Sequence, residues 1–224
     1  MQLEEIMREF KSMSNIESIK GMEKFGITPD KTFGIRIPEL RKMAKRIKKD
    51  RKLAHKLWEL GYRETMILAS MIDVPEQVTE EQLEKWVRDF DYWEICDQTI
   101  MNLFEKTEFA YAKAFEWSDS EEEFIKRAGY VMIARLAVSD KEAENQSFIR
   151  FFPLIERGST DSRIMVKKAV NWALRQIGKR NLKLNKEAIK VAKTLAQLDS
   201  SAGRWIAKDA IRELESESVQ KRLS

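Results

Sequence analysis

Apolar residues recur along most of this chain at intervals of three and four positions, and this period predicts α-helices. The segment 22–37 lacks a strong period and is predicted to be mostly loop. The predicted helices cover residues 2–13, 38–49, 51–60, 62–72, 79–88, 92–105, 107–116, 120–138, 142–157, 162–178, 186–197 and 203–214.

Residues that favour helix ends support several of these boundaries. Pro38 stands at a favoured first-turn position. Two pairs have capping-box spacing, and two further residues are candidate N-caps. The pairs are Thr79 with Gln82 and Ser118 with Glu121, and the single caps are Asp161 and Ser200.

Three helical segments share an apolar-x-basic-x-Ala core. They are FIKRAGYVMIARLA (124–137), MVKKAVNWALRQIG (165–178) and WIAKDAIREL (205–214). Their basic residues Arg127, Lys168 and Lys208 are 41 and 40 residues apart, near the period of HEAT and armadillo repeats. A chance similarity among amphipathic helices is the alternative. The repeat predicts an α-solenoid with a concave surface, and we expect residues 1–224 to form one domain.

The composition argues against several fold classes and kinds of site. Eight Gly and four Pro among 224 residues are few for an all-β or Gly-rich nucleotide-binding fold. With one His and one Cys, a disulfide or a Cys/His zinc site is not expected. His55, among lysines, is interpreted as a solvated surface residue. No apolar stretch is long enough to span a membrane, so a cytoplasmic protein is expected.

The net charge of +4 conceals a strong segregation of charge. Residues 41–52 hold eight basic residues and one acid, and residues 163–190 hold nine basic residues and one acid. Residues 76–97 instead hold eight acids and two basic residues. Such runs are commonly solvated helix faces. Two basic helices on one solenoid favour a polyanionic partner.

The helix predicted over 162–178 combines an aromatic side chain with cations. Its core stripe is Val166, Ala169, Val170, Ala173, Leu174 and Ile177. Trp172 lies on roughly the opposite side, in a second stripe with Lys168, Arg175 and Lys179. A neighbouring helix that covers the indole would explain it. The other interpretation is a nucleic-acid surface, with aromatic contact to base or sugar and cations on phosphates.

The helix predicted over 92–105 places an acid beside a second indole. Its core stripe is Tyr92, Ile95, Cys96, Thr99 and Leu103. Trp93 and Asp97 are four residues apart, so they are neighbours at the edge of this stripe. Cys96 is interpreted as a small buried residue, not a nucleophile. Asp97 is either an ordinary boundary residue or a partly shielded carboxylate that acts on a nearby cation.

The chain resembles the DNA alkylation repair family, the AlkD-like HEAT-like-repeat DNA glycosylases. The similar segments span about 33–220, and AVNWALRQIGKRN is the most specific motif. They are FGIRIPELRKMAK (33–45), LAHKLWELGYRETMILASMI (53–72), FDYWEICDQ (90–98), EEFIKRAGYVMIARLA (122–137), DSRIMVKKAVNWALRQIGKRN (161–181) and SSAGRWIAKDAIREL (200–214).

The resemblance implies an all-α, right-handed superhelix of antiparallel HEAT-like helical pairs that holds duplex DNA containing alkylated bases. It implies a monomeric, cofactor-independent enzyme that excises N3-methyladenine and N7-methylguanine without flipping the base into a pocket. Asp97 matches the family's catalytic Asp, Trp93 and Trp172 its active-site tryptophans, and Arg127 its active-site Arg. Pro38, Arg41 and Arg175 match further backbone contacts.

The chemistry agrees with this resemblance. A base alkylated at N3 or N7 is already cationic and leaves without an acid, so one carboxylate can stabilise the sugar cation. Arg127, Lys168, Arg175 and Lys179 would hold phosphates. Two alternatives stay open: a non-catalytic HEAT-like protein that recognises damaged or branched DNA, and a scaffold for acidic protein partners.

Overall fold

A computed structural model describes residues 1–23 and 31–223, and it contains no strand in those ranges. The α-helices are α1 (Leu3–Ser12), α2 (Ile16–Glu23), α3 (Ile37–Ile47), α4 (Arg51–Glu59), α5 (Arg63–Ile72), α6 (Glu80–Arg88), α7 (Trp93–Asn102), α8 (Ala110–Ser118), α9 (Glu123–Ser139), α10 (Asn145–Ile149), α11 (Phe152–Gly158), α12 (Ile164–Gly178), α13 (Leu182–Ala196), α14 (Ser201–Leu214) and α15 (Glu217–Leu223). Two 3₁₀ helices cover Pro75–Gln77 and Phe104–Lys106.

The chain forms two compact units, Met1–Thr107 and Glu108–Ser224. In the first unit, α5 packs against α3, α4 and α7. Gly61 allows the short turn from α4 to α5 because its φ of +64° lies in the left-handed region. Trp58 and Trp86 stack in this core with ring centroids 3.8 Å apart.

The second unit confirms the internal repeat. The three similar segments form α9, α12 and α14, and α12 packs against both of the others. Each also packs against a second helix: α8 packs on α9, α11 on α12 and α13 on α14. Stacked helical pairs of this kind bury their apolar faces on one another. The prediction of an all-α fold built from HEAT-like helical pairs is therefore confirmed.

Several predicted boundaries were wrong. Residues 16–21 form most of α2, although the hydrophobic period predicts no helix there. Residues 24–30 of the predicted loop lie outside the described residues. The single helix predicted over 142–157 is two helices, α10 and α11, because Pro153 interrupts a continuous helix but suits the first turn of a new one. Helix α13 begins before the predicted residue 186.

The caps agree in part with the prediction. The side chains of Thr79 and Ser200 accept from the backbone N–H groups of Gln82 and Gly203. The Ser118 cap was wrong, because α9 begins five residues later and Ser120 Oγ accepts from the N–H of Glu122.

Asp161 lies just outside α12, where its carboxylate accepts from the N–H of Arg163 at 3.0 Å. His55 is not a solvated residue. It is half-buried and lies edge-on to Trp86, with centroids 5.6 Å apart. None of the helices in the described part of the chain is long and apolar enough to cross a membrane.

Candidate functional site

Helix α7 carries the predicted acid and indole on one edge. Its predicted core stripe, which includes Cys96, is buried throughout, as expected from the helical period. Trp93 and Asp97 are both half-buried and lie one turn apart. The first unit therefore presents a carboxylate next to an indole at the boundary between core and surface.

A buried ion-pair network holds the start of α7. Arg63, at the first position of α5, is only 2% exposed, and its Nε donates to Glu94 Oε2 at 2.7 Å. Burial alone would lower the pKa of Arg63, but the hydrogen bond and charge of Glu94, together with Glu64, raise it above its usual value. Because Glu94 directly follows Trp93, this network fixes the turn of α7 that carries the indole.

The same network orders the segment that enters α3. Glu64 is fully buried, and its carboxylate accepts from the N–H groups of Phe33 and Ile35 at 2.9 and 3.0 Å. It also accepts from Thr32 Oγ1 at 2.9 Å and Arg63 Nη1 at 2.8 Å. Four donors thus satisfy one buried carboxylate. Helix α3 follows this segment. The predicted contact residues Pro38 and Arg41 are exposed on α3.

In the second unit, Trp172 lies on α12 outside the buried core stripe. The predicted stripe from Val166 to Ile177 is buried, and Trp172 is half-buried. In the amide orientation that satisfies its neighbours, Gln176 Oε1 accepts from Trp172 Nε1 at 2.9 Å and from Lys179 Nζ at 3.3 Å. The side chain one turn further along α12 therefore orients the indole.

The cations around Trp172 do not form the simple array that was expected. Lys168 is exposed. Lys179 Nζ donates to Glu213 Oε1 at 2.5 Å, and Arg175 Nη1 bonds the other oxygen of the same carboxylate. Two of the three cations expected around Trp172 therefore already share the carboxylate of Glu213 on α14, which DNA would have to replace.

We expect Glu213→Gln to reduce stability at neutral pH by about 1 kcal/mol. Burial would raise the pKa of Glu213, but the Lys179 hydrogen bond and the Arg175 charge lower it below its usual 4.5. A lowered pKa in the folded state gives stability that is present above the unfolded pKa and lost as the pH falls through the folded value. The difference in unfolding free energy between variant and parent should shrink below about pH 4.5 in urea titrations.

The exposed Glu217→Gln is the matched control, because it removes the same charge from a surface pair with Lys221. It should change stability by less than Glu213→Gln does. Identical pH profiles for both variants would contradict the role of Glu213.

Arg127 is buried, whereas a residue that contacts DNA was expected at the surface. It is only 5% exposed, and its Nη1 donates to the carbonyl of Met165 at 2.7 Å. Since Met165 lies in the first turn of α12, Arg127 ties α9 to the helix that carries Trp172. A contact between Arg127 and DNA stays a prediction.

Within each unit, two of the predicted residues lie near each other. Trp93 and Asp97 adjoin on α7, and Trp172 and Lys179 share Gln176 on α12. The sequence reasoning missed Arg63, Glu64 and Glu213, which are ordinary charged residues in an amphipathic pattern. For Arg63 and Glu64, the available signal was a pair of charged residues in the predicted first turn of a helix, in Tyr62-Arg63-Glu64-Thr65.

A family model described as DNA alkylation repair enzyme matches residues 6–214. The stacked helical pairs define an all-α fold of the HEAT-like repeat class. This chain belongs to the DNA alkylation repair enzyme family.

Two bacterial proteins and one solved structure are similar to this chain. An uncharacterized protein of Listeria innocua is 26% identical over 214 residues, which cover 92% of this chain and 93% of that protein. An uncharacterized protein of Listeria monocytogenes is 28% identical over 141 residues, which cover 61% and 62%. A solved structure is similar with a TM-score of 0.79 and 19% identity over 95% of both chains. It is described as a new family related to the HEAT-like repeat DNA glycosylases, with affinity for branched DNA structures.

Proposed function

We propose that this protein is a DNA glycosylase that hydrolyses the N-glycosidic bond of cationic alkylated purines in duplex DNA, without flipping the base into a pocket. N3-methyladenine and N7-methylguanine are the expected substrates. The proposal depends chiefly on one observation: the partly exposed pair of Trp93 and Asp97 on α7, in a chain of the DNA alkylation repair enzyme family.

The residue types suit this substrate class. Departure of the base leaves positive charge on the deoxyribose, as in other glycoside hydrolyses. The Asp97 carboxylate would stabilise that charge and orient the attacking water. The faces of Trp93 and Trp172 would attract the electron-poor sugar in the manner of a cation–π contact. A neutral base needs a proton to leave, and an ionised aspartate does not supply one.

The proposed DNA-contact residues differ in what must change before they can contact the backbone. Pro38, Arg41 and Lys168 are exposed and would contact the backbone directly. Arg175 and Lys179 would exchange Glu213 for phosphate. Arg127 would act at the edge of the site while its Nη1 holds α12.

The direct test is release of free base from duplexes that contain a single 7-methylguanine, followed by chromatography with the protein in excess. We expect 7-methylguanine to be released and hypoxanthine, a neutral base in an otherwise identical duplex, to stay attached. Absence of 7-methylguanine release from duplex that is fully bound would reject the glycosylase proposal.

We expect Trp172→Ala to slow 7-methylguanine release by about tenfold, because an aromatic contact of this kind contributes about 1–3 kcal/mol. Trp205→Ala is the matched control, since Trp205 is an exposed indole on α14. Single-turnover rates at saturating protein measure the effect. Equal losses in both variants would show that Trp172 has no special part in the reaction.

The similarity to the structure with branched-DNA affinity favours a second candidate, a non-catalytic protein that binds branched DNA. Gel-shift titrations with a four-way junction and with a duplex of the same sequence distinguish the two. Junction binding much tighter than duplex binding, with no base release, would favour this second function.

A further inference from the structure

A cationic cavity lies in the second unit where α9 and α12 end. Its volume is about 450 Å³, and its lining includes Lys141, Gln176, Lys179, Arg180, Asn181 and Arg222. Four of these side chains are cationic, and none of the described residues that line the cavity carries a carboxylate. A concave site lined by one sign of charge concentrates ions of the opposite sign.

Arg180 is built into the wall of this cavity. Its Nη1 and Nη2 donate to the carbonyls of Ala137 and Ala143 at 2.8 and 3.2 Å, and its guanidinium lies 3.9 Å from the centroid of the Phe148 ring. Its Nε is buried and has no hydrogen-bond partner among the described residues. Burial lowers the pKa of Arg180, although Tyr111 and Asp140 act in the opposite direction.

At each of these helix ends, one backbone carbonyl bonds a guanidinium group. Helix C-termini carry partial negative charge. The carbonyl of Ala137, near the end of α9, accepts from Arg180, and that of Lys179, after α12, accepts from Arg222 Nη2 at 3.4 Å. The positive charge of the two guanidinium groups thus offsets part of the negative potential at these helix ends.

The cavity adjoins the Trp172 edge of α12. Gln176, which bonds the Trp172 indole, also lines the cavity, and so does its other partner, Lys179. A nucleic-acid strand whose sugar contacts Trp172 would carry its next phosphates toward this cavity.

We propose that this cavity binds a backbone phosphate of the DNA strand that leaves Trp172, with Lys141, Arg180 and Arg222 as new contacts beside Lys179. The proposal rests on the DNA-binding part of the proposed function. The chemistry it requires is a phosphate anion, and a free phosphate ion is the competing source.

The test compares Lys141→Ala/Arg222→Ala with a control of equal charge, Lys193→Ala/Arg204→Ala. All four side chains are exposed, and the control pair lies on α13 and α14, outside the cavity and outside the basic segments 41–52 and 163–190. Binding of a labelled duplex is measured by anisotropy over a range of salt concentrations, and thermal melts confirm folding. Each lost phosphate contact should make the slope of log affinity against log salt shallower by about 0.9.

We expect the cavity variant to lose about 1–2 in slope and about tenfold in affinity, and the control to keep the parent slope. Equal slopes for all three proteins would overturn the proposal. Calorimetry with inorganic phosphate alone tests the other source. Phosphate binding that depends on Lys141 and Arg222, with no change in the DNA slope, would assign the cavity to a free anion and also overturn the proposal.

The two proposals fail in different measurements. If the parent releases no 7-methylguanine but the cavity variant has a shallower slope, the phosphate site stands and the glycosylase does not. If release occurs and the slope is unchanged, the glycosylase stands and the phosphate site does not.

Discussion

Asp97→Asn is expected to slow the release of 7-methylguanine from duplex DNA about 100-fold, because it removes the charge that stabilises the sugar cation. The amide is almost the same size as the carboxylate, so the half-buried edge of α7 keeps its packing. DNA binding should be unchanged or slightly tighter, since one negative charge is removed from a surface that faces a polyanion. Single-turnover release at saturating protein separates this effect from binding.

Glu81→Gln is the matched control for Asp97→Asn. It removes the same charge from an exposed position on α6 in the same unit. Its release rate should equal that of the parent. If Asp97→Asn also releases base at the parent rate, Asp97 has no catalytic role and the carboxylate mechanism is wrong.

The sequence predicted most of α7 and α12 because period 3.6 is a local property. Cys96 and Leu174 fell on the buried stripes as expected, and the edge positions of Trp93 and Asp97 followed from the same geometry. The internal repeat also placed α9, α12 and α14 in register. These features depend on spacing within a helix, which the sequence contains directly.

The partners of charged residues were not predictable in the same way. Arg175 and Lys179 suggested cations available for phosphate, but Glu213 lies more than thirty residues away and reaches them from α14. Arg127 suggested a surface contact, although tertiary packing buries it against α12. Such pairings depend on how helices stack, and an amphipathic pattern assigns charged residues to solvent by default.

The second large effect is a loss of stability when the buried charge of Glu64 is removed. Glu64→Gln is expected to reduce the free energy of unfolding by about 3–5 kcal/mol, as when one partner of a buried ion pair is removed. The amide has one acceptor oxygen where the carboxylate serves four donors, and its NH₂ group faces N–H groups that it cannot accept from. Urea unfolding monitored by circular dichroism measures the loss.

The exposed Glu59→Gln, on α4, removes the same charge from the same unit and should change stability by less than about 0.5 kcal/mol. Because Glu64 orders the segment 32–35 that leads into α3, its loss should also weaken duplex binding through Arg41, at temperatures where the variant is still folded. Arg41→Ala in the Glu64→Gln background should then weaken binding less than it does in the parent. Full additivity of the two substitutions would mean that the network supports the fold without positioning the DNA contact.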